Sequence, residues 1–425
     1  MTLTPSFRAH GLDHMFLGWE ERDPGRSDVS GIAHFEGAPP RVEDLRAWLA
    51  GFVDVLPGLT CRLVGSSRRA RWVHDPHFDL ARHVVEVEVA GDTPLEAVAA
   101  RVLDRPLERD RPDWDLSLIH GYKPGCYSLC YRVHHCCQDG GAASHTLRTV
   151  LTGTGIGAAA TGTSRPAPLP GRVVRAAALM GRQLGEIAAT SVVGAGAATP
   201  LSGRRRLLYA HVDTARLRRV ARPLGGGPNE AHLAALTGML HRWSAASGVR
   251  LRRPALFLAV DARRPDDLPS WGNRVLALRL PLLAACDSPR ERLVDLIARG
   301  AAARRRRAAA QDLVRWLPGR LCGWLLGRQL HPRHVIGGST TLVFTAGAGF
   351  DPKFVAFHPA LPPGHLFVAA LLVHGTRAQL CLVVDEALPL GERMADFYLQ
   401  ALAHLEAPAP PVVPTQPPRA EPIHS

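Results

Sequence analysis

The sequence predicts an α+β protein built from two lobes of similar order that are joined by a linker. Short alternating apolar segments, typical of strands, are interspersed with amphipathic segments typical of helices, and they recur in a similar order in both halves. Between the halves, residues 152–171 are rich in Gly, Ala, Thr and Pro, a composition typical of a linker. A length of 425 residues is sufficient for two or three domains.

The first half contains six strand patterns and four helix patterns. The helices are interpreted from apolar residues that recur on one face and from Pro or Gly at their ends. The strands are interpreted from alternation with a period of two. The predicted elements are a short helix 12–16, a strand 30–35, a helix 42–55, a hairpin 61–64 and 70–73, a strand 83–89, a helix 94–102, strands 116–120 and 127–133, and a helix 142–151.

The second half repeats this kind of pattern after one helix within the linker region, at about 173–192. The tail from residue 407 is rich in Pro and charge and is predicted to be disordered. The predicted elements are strands 207–212, 255–260, 275–280, 342–345, 366–374 and 378–384, and helices 214–222, 229–246, 289–311 and 394–405. We therefore expect an N-terminal lobe at 1–151, a linker with one helix at 152–206, a C-terminal lobe at 207–406 and a tail at 407–425.

Composition excludes several classes of function. A hydrophobic fraction of 46% with 21% charged residues is typical of a folded soluble protein. The net charge of +13 favours anionic partners, but the arginines lie in helix-like sequence and no motif for nucleic acid is present, so we expect no nucleic-acid partner. The eight cysteines include no Cys-x-x-Cys pair, so we expect no zinc or other metal site and reduced thiols in a cytoplasmic protein.

The cluster most suited to chemistry is His134-His135-Cys136-Cys137-Gln138-Asp139-Gly140, at the end of the strand 127–133. An imidazole titrates near neutral pH and is the side chain best suited to moving a proton there. Because neighbouring side chains on a strand point to opposite faces, only one of the two histidines can face a given cavity. From the pattern alone, the other histidine is a packed one, and Asp139 can fix the turn by pairing with backbone or an arginine.

The chain resembles the wax ester synthase/diacylglycerol acyltransferase family of the CoA-dependent acyltransferase superfamily, which also contains chloramphenicol acetyltransferase and condensation domains. The resemblance lies in motifs spread over most of the chain and is strongest in the first lobe. These motifs are Leu12-Asp13-His14-Met15-Phe16-Leu17 with Glu20, Asp75-Pro76-His77-Phe78-Asp79-Leu80 with His83, Pro106-Leu107-Glu108-Arg109, Arg111-Pro112-Asp113-Trp114-Asp115, the His-His-x-x-x-Asp-Gly of 134–140, Asp261-Ala262-Arg263-Arg264-Pro265 and Gly272-Asn273-Arg274-Val275.

The resemblance implies two chloramphenicol-acetyltransferase-like lobes, each a mixed sheet flanked by helices, with an active-site tunnel between them. It implies that His135 is the general base, that His134 is structural, and that Asp139 pairs with Arg263 across the lobes. Gly140 and the following glycine are expected to offer backbone N–H groups to an oxyanion, and Asn273 is expected to support the site. No bound cofactor is expected, and an acyl-CoA, or an acyl carrier protein thioester, would be a co-substrate.

Three functions follow from the resemblance. The leading hypothesis is an acyltransferase that moves an acyl group from acyl-CoA to the hydroxyl of a long-chain alcohol or diacylglycerol, in the cytoplasm or at a peripheral membrane or lipid-droplet surface. The alternative is a condensation-like enzyme that forms an ester or amide of a natural product from a carrier-bound or CoA-bound acyl group. The third is a non-catalytic homologue that binds acyl chains, since fold resemblance alone does not establish function.

Two segments depart from the family pattern. Residues 26–30 replace its Pro-Met-His segment, and residues 345–350 replace its Ser-Asn-Val-Pro-Gly-Pro segment. Both departures concern the pocket for the acceptor and leave the predicted base in place.

Overall fold

The computed structural model describes residues 7–9, 11–20, 27–65, 70–153, 169–188, 201–251, 254–264, 267, 269–282, 288–316, 319–345 and 352–407. Predictions for the tail from 408, for most of the linker and for residues 346–350 lie outside this part of the chain. Within it, two mixed sheets and one small sheet are covered by helices, so the predicted α+β class is confirmed.

The elements of the first half follow the predicted order closely. The helix predicted at 42–55 ends at Ala50, because Gly51 and the turn after it interrupt the helical hydrogen bonding. In chain order the elements are β1 (Phe7–Arg8), α1 (Gly11–Glu20), β2 (Asp28–Glu36), α2 (Val42–Ala50), β3 (Cys61–Val64), β4 (Arg71–His74), β5 (Val84–Glu88), α3 (Leu95–Asp104), β6 (Trp114–His120), β7 (Cys126–His134) and α4 (Gly140–Thr152).

The second half begins with the helix in the linker region and ends with a helix. The elements are α5 (Leu169–Ala188), β8 (Arg205–Asp213), α6 (Thr214–Ala221), α7 (Pro228–Ser247), β9 (Ala255–Asp261), β10 (Val275–Pro281), α8 (Pro289–Trp316), α9 (Gly319–Gln329), β11 (Gly337–Phe344), β12 (Phe354–His358), β13 (Phe367–His374), β14 (Arg377–Asp385) and α10 (Met394–Glu406).

One mixed sheet is built from the first half with one strand from the second. Its order is β12-β2-β7-β6-β5, and β12 pairs antiparallel to β2 with Ala356 opposite Ile32. The strand β7, which leads into the histidine motif, is the central strand and is buried along most of its length. Because β12 comes from the second half, the two halves share this sheet.

The other mixed sheet has the order β10-β9-β11-β13-β14-β8 and belongs wholly to the second half. β9 and β11 are parallel, and β10 pairs antiparallel to β9 with Val275 opposite Asp261. This pairing places residues 262–264 and 269–274, between β9 and β10, at the edge of the sheet that faces the histidine motif, where the isolated bridge between Gln138 and Gly272 forms.

Three features of the second half were not predicted or were predicted only in part. The strand β12 and the helix α9 were missed, and β11 begins at Gly337, five residues before the predicted start at 342. The start of β11 contains glycines because a Cβ on Gly338 would lie 2.1 Å from the Phe257 ring. In the sequence these glycines are typical of a loop, but in the structure they lie within a strand, where close packing leaves no room for a side chain.

Candidate active site

The histidine motif forms the turn between β7 and α4. His134 is the last residue of β7, and Gly140 is the first of α4. The N–H of His135 donates to the carbonyl of Ser27 at 2.8 Å, and the N–H of Cys137 donates to the carbonyl of His134 at 2.9 Å. Ser27 belongs to the departing segment 26–30, so part of that segment supports the backbone of the predicted base.

Asn273 fixes the orientation of the His135 ring. The two hydrogens of its side-chain Nδ2 are shared among three acceptors, Asp13 Oδ1 at 2.9 Å and the carbonyls of His135 and Cys136 at 2.8 and 3.1 Å. This pattern assigns the amide oxygen to the side facing His135 Nδ1, which lies 3.1 Å away. Nδ1 therefore carries the proton, and Nε2 keeps its lone pair.

The surroundings of His135 keep the imidazole neutral. The ring stacks on Phe16 at a centroid distance of 3.6 Å and an interplanar angle of 11°. Burial lowers the pKa of His135 to about 4, since the charged form loses its hydration. At neutral pH the ring is thus unprotonated at Nε2, as a proton acceptor must be.

Asp139 is held by partners other than the His135 ring. Arg263 Nη1 donates to its two carboxylate oxygens at 2.7 and 2.8 Å, which is the predicted pair, and the N–H groups of Arg274 and Ala142 donate at 2.7 and 3.0 Å. Burial alone would raise the pKa of Asp139, but the Arg263 charge and these hydrogen bonds hold it below its ordinary value. The carboxylate caps α4 and links the turn to the second half.

His134 lies away from the cavity side of the turn. It is fully buried, and its Nδ1 accepts a hydrogen bond from the N–H of Cys136 at 3.1 Å. This environment is typical of a packed histidine, and the structural role of His134 remains our prediction.

The glycines after Asp139 lie in confined space. A Cβ on Gly140 would lie 3.3 Å from the Phe357 ring, and one on Gly141 would lie 3.2 Å from Arg263 Nη1 and 3.3 Å from Asp139 Oδ1. A side chain at either position would thus press against the cavity wall or against the Asp139–Arg263 pair.

Sequence reasoning missed a second connection between the halves, at Gln138. Its Nε2 donates to the carbonyl of Ser270 at 2.7 Å and to Thr146 Oγ1 at 3.0 Å, while Tyr131 donates to its Oε1 at 3.0 Å. The position is one of the variable ones in the motif, so the pattern did not single it out. Asp13 was quoted only as part of a family motif, yet it supports Asn273.

A largely apolar cavity with a volume of about 90 Å³ opens at His135. Residues from both halves form its wall, which confirms a space between the two lobes. Its lining is aliphatic and aromatic apart from a few polar groups, and comprises Phe16, Val29, His135, Asp139, Gly140, Phe257, Ala259, Val275, Ala277, Leu326, Leu330, Ser339, Thr340, Phe357, Pro359, Ala360, Pro362 and Val368.

A second, polar cleft with a volume of about 330 Å³ adjoins this cavity. The two spaces share several wall residues, and the cleft runs along α4 away from the histidine turn. Its lining comprises Asp139, Gly140, Gly141, Ser144, His145, Arg148, Ala259, Asp261, Arg263, Val275, Thr340, Thr341, Leu342 and Val343. Among the departing residues 345–350 only Thr345 is described, and its Oγ1 accepts a hydrogen bond from Arg148 at 3.1 Å.

The two cysteines of the motif lie in the core behind the turn. Their sulfur atoms are 3.7 Å apart, and the ligand atoms of Asp113, Cys136 and Cys137 lie within 4.8 Å of one another. The Asp113 carboxylate already pairs with Arg109 at 3.2 Å. The expectation of no metal remains a prediction.

Comparison with known proteins finds that the chain is similar to acyltransferases. A model of the wax ester synthase/diacylglycerol acyltransferase catalytic domain matches residues 10–195. The chain is 29% identical over 324 residues to a probable diacylglycerol O-acyltransferase of Mycobacterium tuberculosis, covering 66% of this chain and 68% of that protein. It is 26% identical over 369 residues to a second such protein of that organism, covering 73% and 76%.

Solved structures share the fold over nearly the whole chain. The wax ester synthase/diacylglycerol acyltransferase of Marinobacter aquaeolei VT8 superposes with a TM-score of 0.63 at 19% identity, covering 93% of this chain and 97% of that one. The starter condensation domain of rhizomide synthetase, in complex with C8-CoA, superposes with a TM-score of 0.66 at 14% identity, covering 95% of each chain. At these identities the likeness shows the two-lobed fold. None of the described helices is both long and apolar enough to span a bilayer.

Proposed function

We propose that the chain, which is similar to wax ester synthase/diacylglycerol acyltransferases, is an O-acyltransferase of that family that moves an acyl group from acyl-CoA to the hydroxyl of a long-chain alcohol or diacylglycerol. The observation that carries this proposal is a neutral His135, oriented by Asn273, at the wall of an apolar cavity between the lobes. Such a cavity suits an alkyl chain, since burying methylene groups stabilises the complex.

In the proposed reaction, His135 acts as the general base. The acceptor hydroxyl gives its proton to Nε2 while its oxygen attacks the thioester carbonyl and forms a tetrahedral intermediate. The intermediate then collapses, the C–S bond breaks, and the CoA sulfur leaves with the proton that His135 returns. No covalent acyl-enzyme is formed, and a positioned base of this kind typically contributes ~10²–10⁴ in rate.

Two features of the site would assist this step. The apolar wall keeps water away from the thioester, and the low pKa of His135 favours rapid return of the proton to the leaving sulfur. The N–H groups at the start of α4, at Gly140 and Gly141, are our proposed donors to the oxyanion, because the first N–H groups of a helix have no partner within the helix.

The condensation-like alternative is supported by the similar superposition on condensation domains. Under this alternative the acyl group arrives on a carrier protein, and the product is an ester or amide of a natural product. The two proposals share His135 and differ only in the donor and the acceptor, so substrate assays separate them.

The test offers purified protein palmitoyl-CoA with hexadecanol or dioleoylglycerol and measures free CoA and the ester formed. His135→Ala should lower the rate by ~10²-fold or more. His211→Ala, at an exposed histidine on β8, is the matched control and should keep the activity. Activity that persists in His135→Ala would refute the base. Turnover with a carrier thioester alone would favour the alternative, and none with either donor would favour a non-catalytic homologue.

A further inference from the structure

A further cleft, with a volume of about 540 Å³, lies between α8 and the sheet of the second half. Residues of α5, α7 and α8 form its walls, and residues of β9, β10 and β11 form its floor. Its volume is within the range of ~300–1,000 Å³ that is typical of ligand sites. The cleft is thus large enough to hold a small molecule.

This cleft lies on the face of β9 and β10 opposite to the cavity at His135. Leu258 and Leu278 line the cleft, whereas their neighbours along the strands, Phe257 and Ala277, line the cavity. This division is expected, because successive side chains of a strand point to opposite faces of the sheet. The wall residues that the cleft shares with the two spaces beside the histidine turn are Ala259, Ser339 and Thr341. A ligand in the cleft is therefore held mainly by side chains that a substrate at His135 does not touch.

The floor of the cleft is aliphatic. It is formed by Leu258 and Val260 of β9, Leu278 and Leu280 of β10, and Leu233 of α7. The described residues that line the cleft include no aromatic side chain. Such a floor favours an alkyl chain, because burying methylene groups removes them from water. A nucleobase would instead be typically stacked on an aromatic ring.

The rim of the cleft is rich in arginine. The arginines that line it are Arg182, Arg279, Arg299, Arg304, Arg306 and Arg307. Glu230 is the carboxylate among the described lining residues, and it pairs with Arg304 at 2.5 Å. From outside the lining, Asp295 pairs with Arg299 at 2.6 Å. Asp261 meets the rim in the same way, at 3.5 Å from a guanidinium nitrogen. Six arginines thus face three carboxylates in the described part of the chain, and the rim favours an anion.

The spacing of residues along α8 directs one of its faces into the cleft. Ala303 and Arg307 follow Arg299 by four and eight residues, and all three line the cleft, as expected for one face of a helix. Arg305 and Ala308 are exposed on the same helix and do not line the cleft. The helix therefore offers, for a change of charge or of volume within the cleft, a matched position outside it.

We propose that this cleft is a second ligand site, which binds a single-chain amphiphile with a carboxylate or phosphate head. The alkyl chain lies on the aliphatic floor, and the head meets the arginines of the rim, since planar guanidinium groups match both anions. This site goes beyond the proposed acyl transfer. Its test needs no turnover, so either proposal can fail without the other.

The test is calorimetric titration of the full chain with dodecyl phosphate, with dodecanoate and with uncharged 1-O-dodecylglycerol, each below the concentration at which it forms micelles. At least one anion should bind with a Kd about fivefold or more below that of the uncharged compound, because several exposed ion pairs each contribute modestly. The anion that binds more tightly identifies the head group. Equal Kd values for all three compounds, or no binding of either anion, would overturn the proposal.

Ala303→Phe tests where the amphiphile binds. The added ring occupies space that the alkyl chain needs and should raise the Kd of the anions by about tenfold or more, since close-packed atoms exclude a ligand. Ala308→Phe is the matched control, because it adds the same ring outside the cleft, and it should leave the Kd unchanged. If both variants bind as the wild type does, the amphiphile binds elsewhere, for example in the cavity at His135, and the proposal is wrong.

Arg307→Gln tests the rim independently and does not alter the packing of the floor. Arg307 is half-exposed, so the variant should fold, and the Kd of the anions should rise about two- to fivefold while that of the uncharged compound stays the same. Arg305→Gln removes the same charge from α8 outside the cleft and should have no effect. Equal effects of the two changes would show an unspecific attraction to an arginine-rich helix and would overturn the proposed site.

Discussion

Asn273 determines which nitrogen of His135 can accept a proton. Three donor contacts of its Nδ2, to Asp13 and to two backbone carbonyls, leave its oxygen for His135 Nδ1. A neutral amide in this position orients the ring without adding negative charge. The basicity of His135 is therefore governed by burial, which lowers the pKa to about 4.

This low pKa has a consequence for the pH dependence of the reaction. An exposed histidine with the ordinary pKa of ~6.5 would be mostly protonated at pH 6, and the rate would fall accordingly. Because His135 stays neutral well below that pH, kcat/KM should remain flat between pH 8 and pH 6. The measurement is a pH–rate profile with palmitoyl-CoA, and an inflection near 6.5 would contradict the assigned environment of His135.

The sequence located the motif but not all of its contacts. His135, Asp139 and Arg263 follow from the motif and from the resemblance, and the predicted Asp139–Arg263 pair is present. The contact between Asn273 and the His135 ring spans 138 residues and depends on how the lobes meet. A local sequence pattern contains no information about how the two lobes pack together. The sequence therefore predicted that Asn273 supports the site but not that it contacts the His135 ring.

At the scale of elements, Asp139 connects the N-terminus of α4 with the loop after β9. Its carboxylate is 3% exposed and Arg263 is its charged partner. Removing one member of a buried ion pair typically costs ~3–5 kcal/mol, because the other charge is left uncompensated. Asp139→Ala should therefore lower the free energy of unfolding by roughly this amount and also reduce activity, as the His135 turn loosens.

Chemical denaturation followed by tryptophan fluorescence measures this loss. Asp396→Ala is a matched control, since Asp396 is exposed on α10 and such surface changes usually stay within ~0.5 kcal/mol. If Asp139→Ala were as stable as the control, the pair would contribute little to joining α4 and β9.

The missed elements have a common physical cause. β12 is a five-residue apolar segment just before Pro359, too short to show a period, and it forms because β2 offers an open edge. α9 contains three glycines in its eleven residues, which lower the helical signal, yet it packs against α1 and buries Leu325 and Leu326, the second of which lines the cavity. Both elements depend on tertiary partners, which local propensity does not represent.

At the scale of the whole molecule, the fold buries several neutral histidines. His232 and His358 are almost fully buried, and burial lowers the pKa of each to about 3, while that of His365 is lowered to about 4. The Nδ1 of His358 forms a hydrogen bond with Ser30 Oγ at 2.6 Å, and its Nε2 forms one with the Tyr209 hydroxyl. These two bonds connect β2 of the first half with β12 and β8 of the second half. Protonation of these rings is therefore linked to unfolding.

The sign of this linkage follows from the proton count. In the unfolded chain these histidines have a pKa of ~6.5, so between pH 6.5 and about 4 the unfolded state binds protons that the native state does not. Stability is full above pH 6.5 and falls as the pH drops through this window. Asp139, with its lowered pKa, adds to the loss only below ~4, the ordinary carboxyl pKa. We thus expect acid unfolding to begin near pH 6 to 5, before the carboxylates titrate.

Melting temperatures from circular dichroism at pH 7, 6 and 5 measure this dependence. The temperature should fall by several degrees per pH unit, because one proton per buried histidine is worth up to ~1.4 kcal/mol for each pH unit. His365→Gln should reduce the slope by one proton, whereas His211→Gln, at an exposed site on β8, should leave it unchanged. A melting temperature that stays constant from pH 7 to pH 5 would mean that the native state binds as many protons at these histidines as the unfolded chain does, which would contradict the effect of their burial.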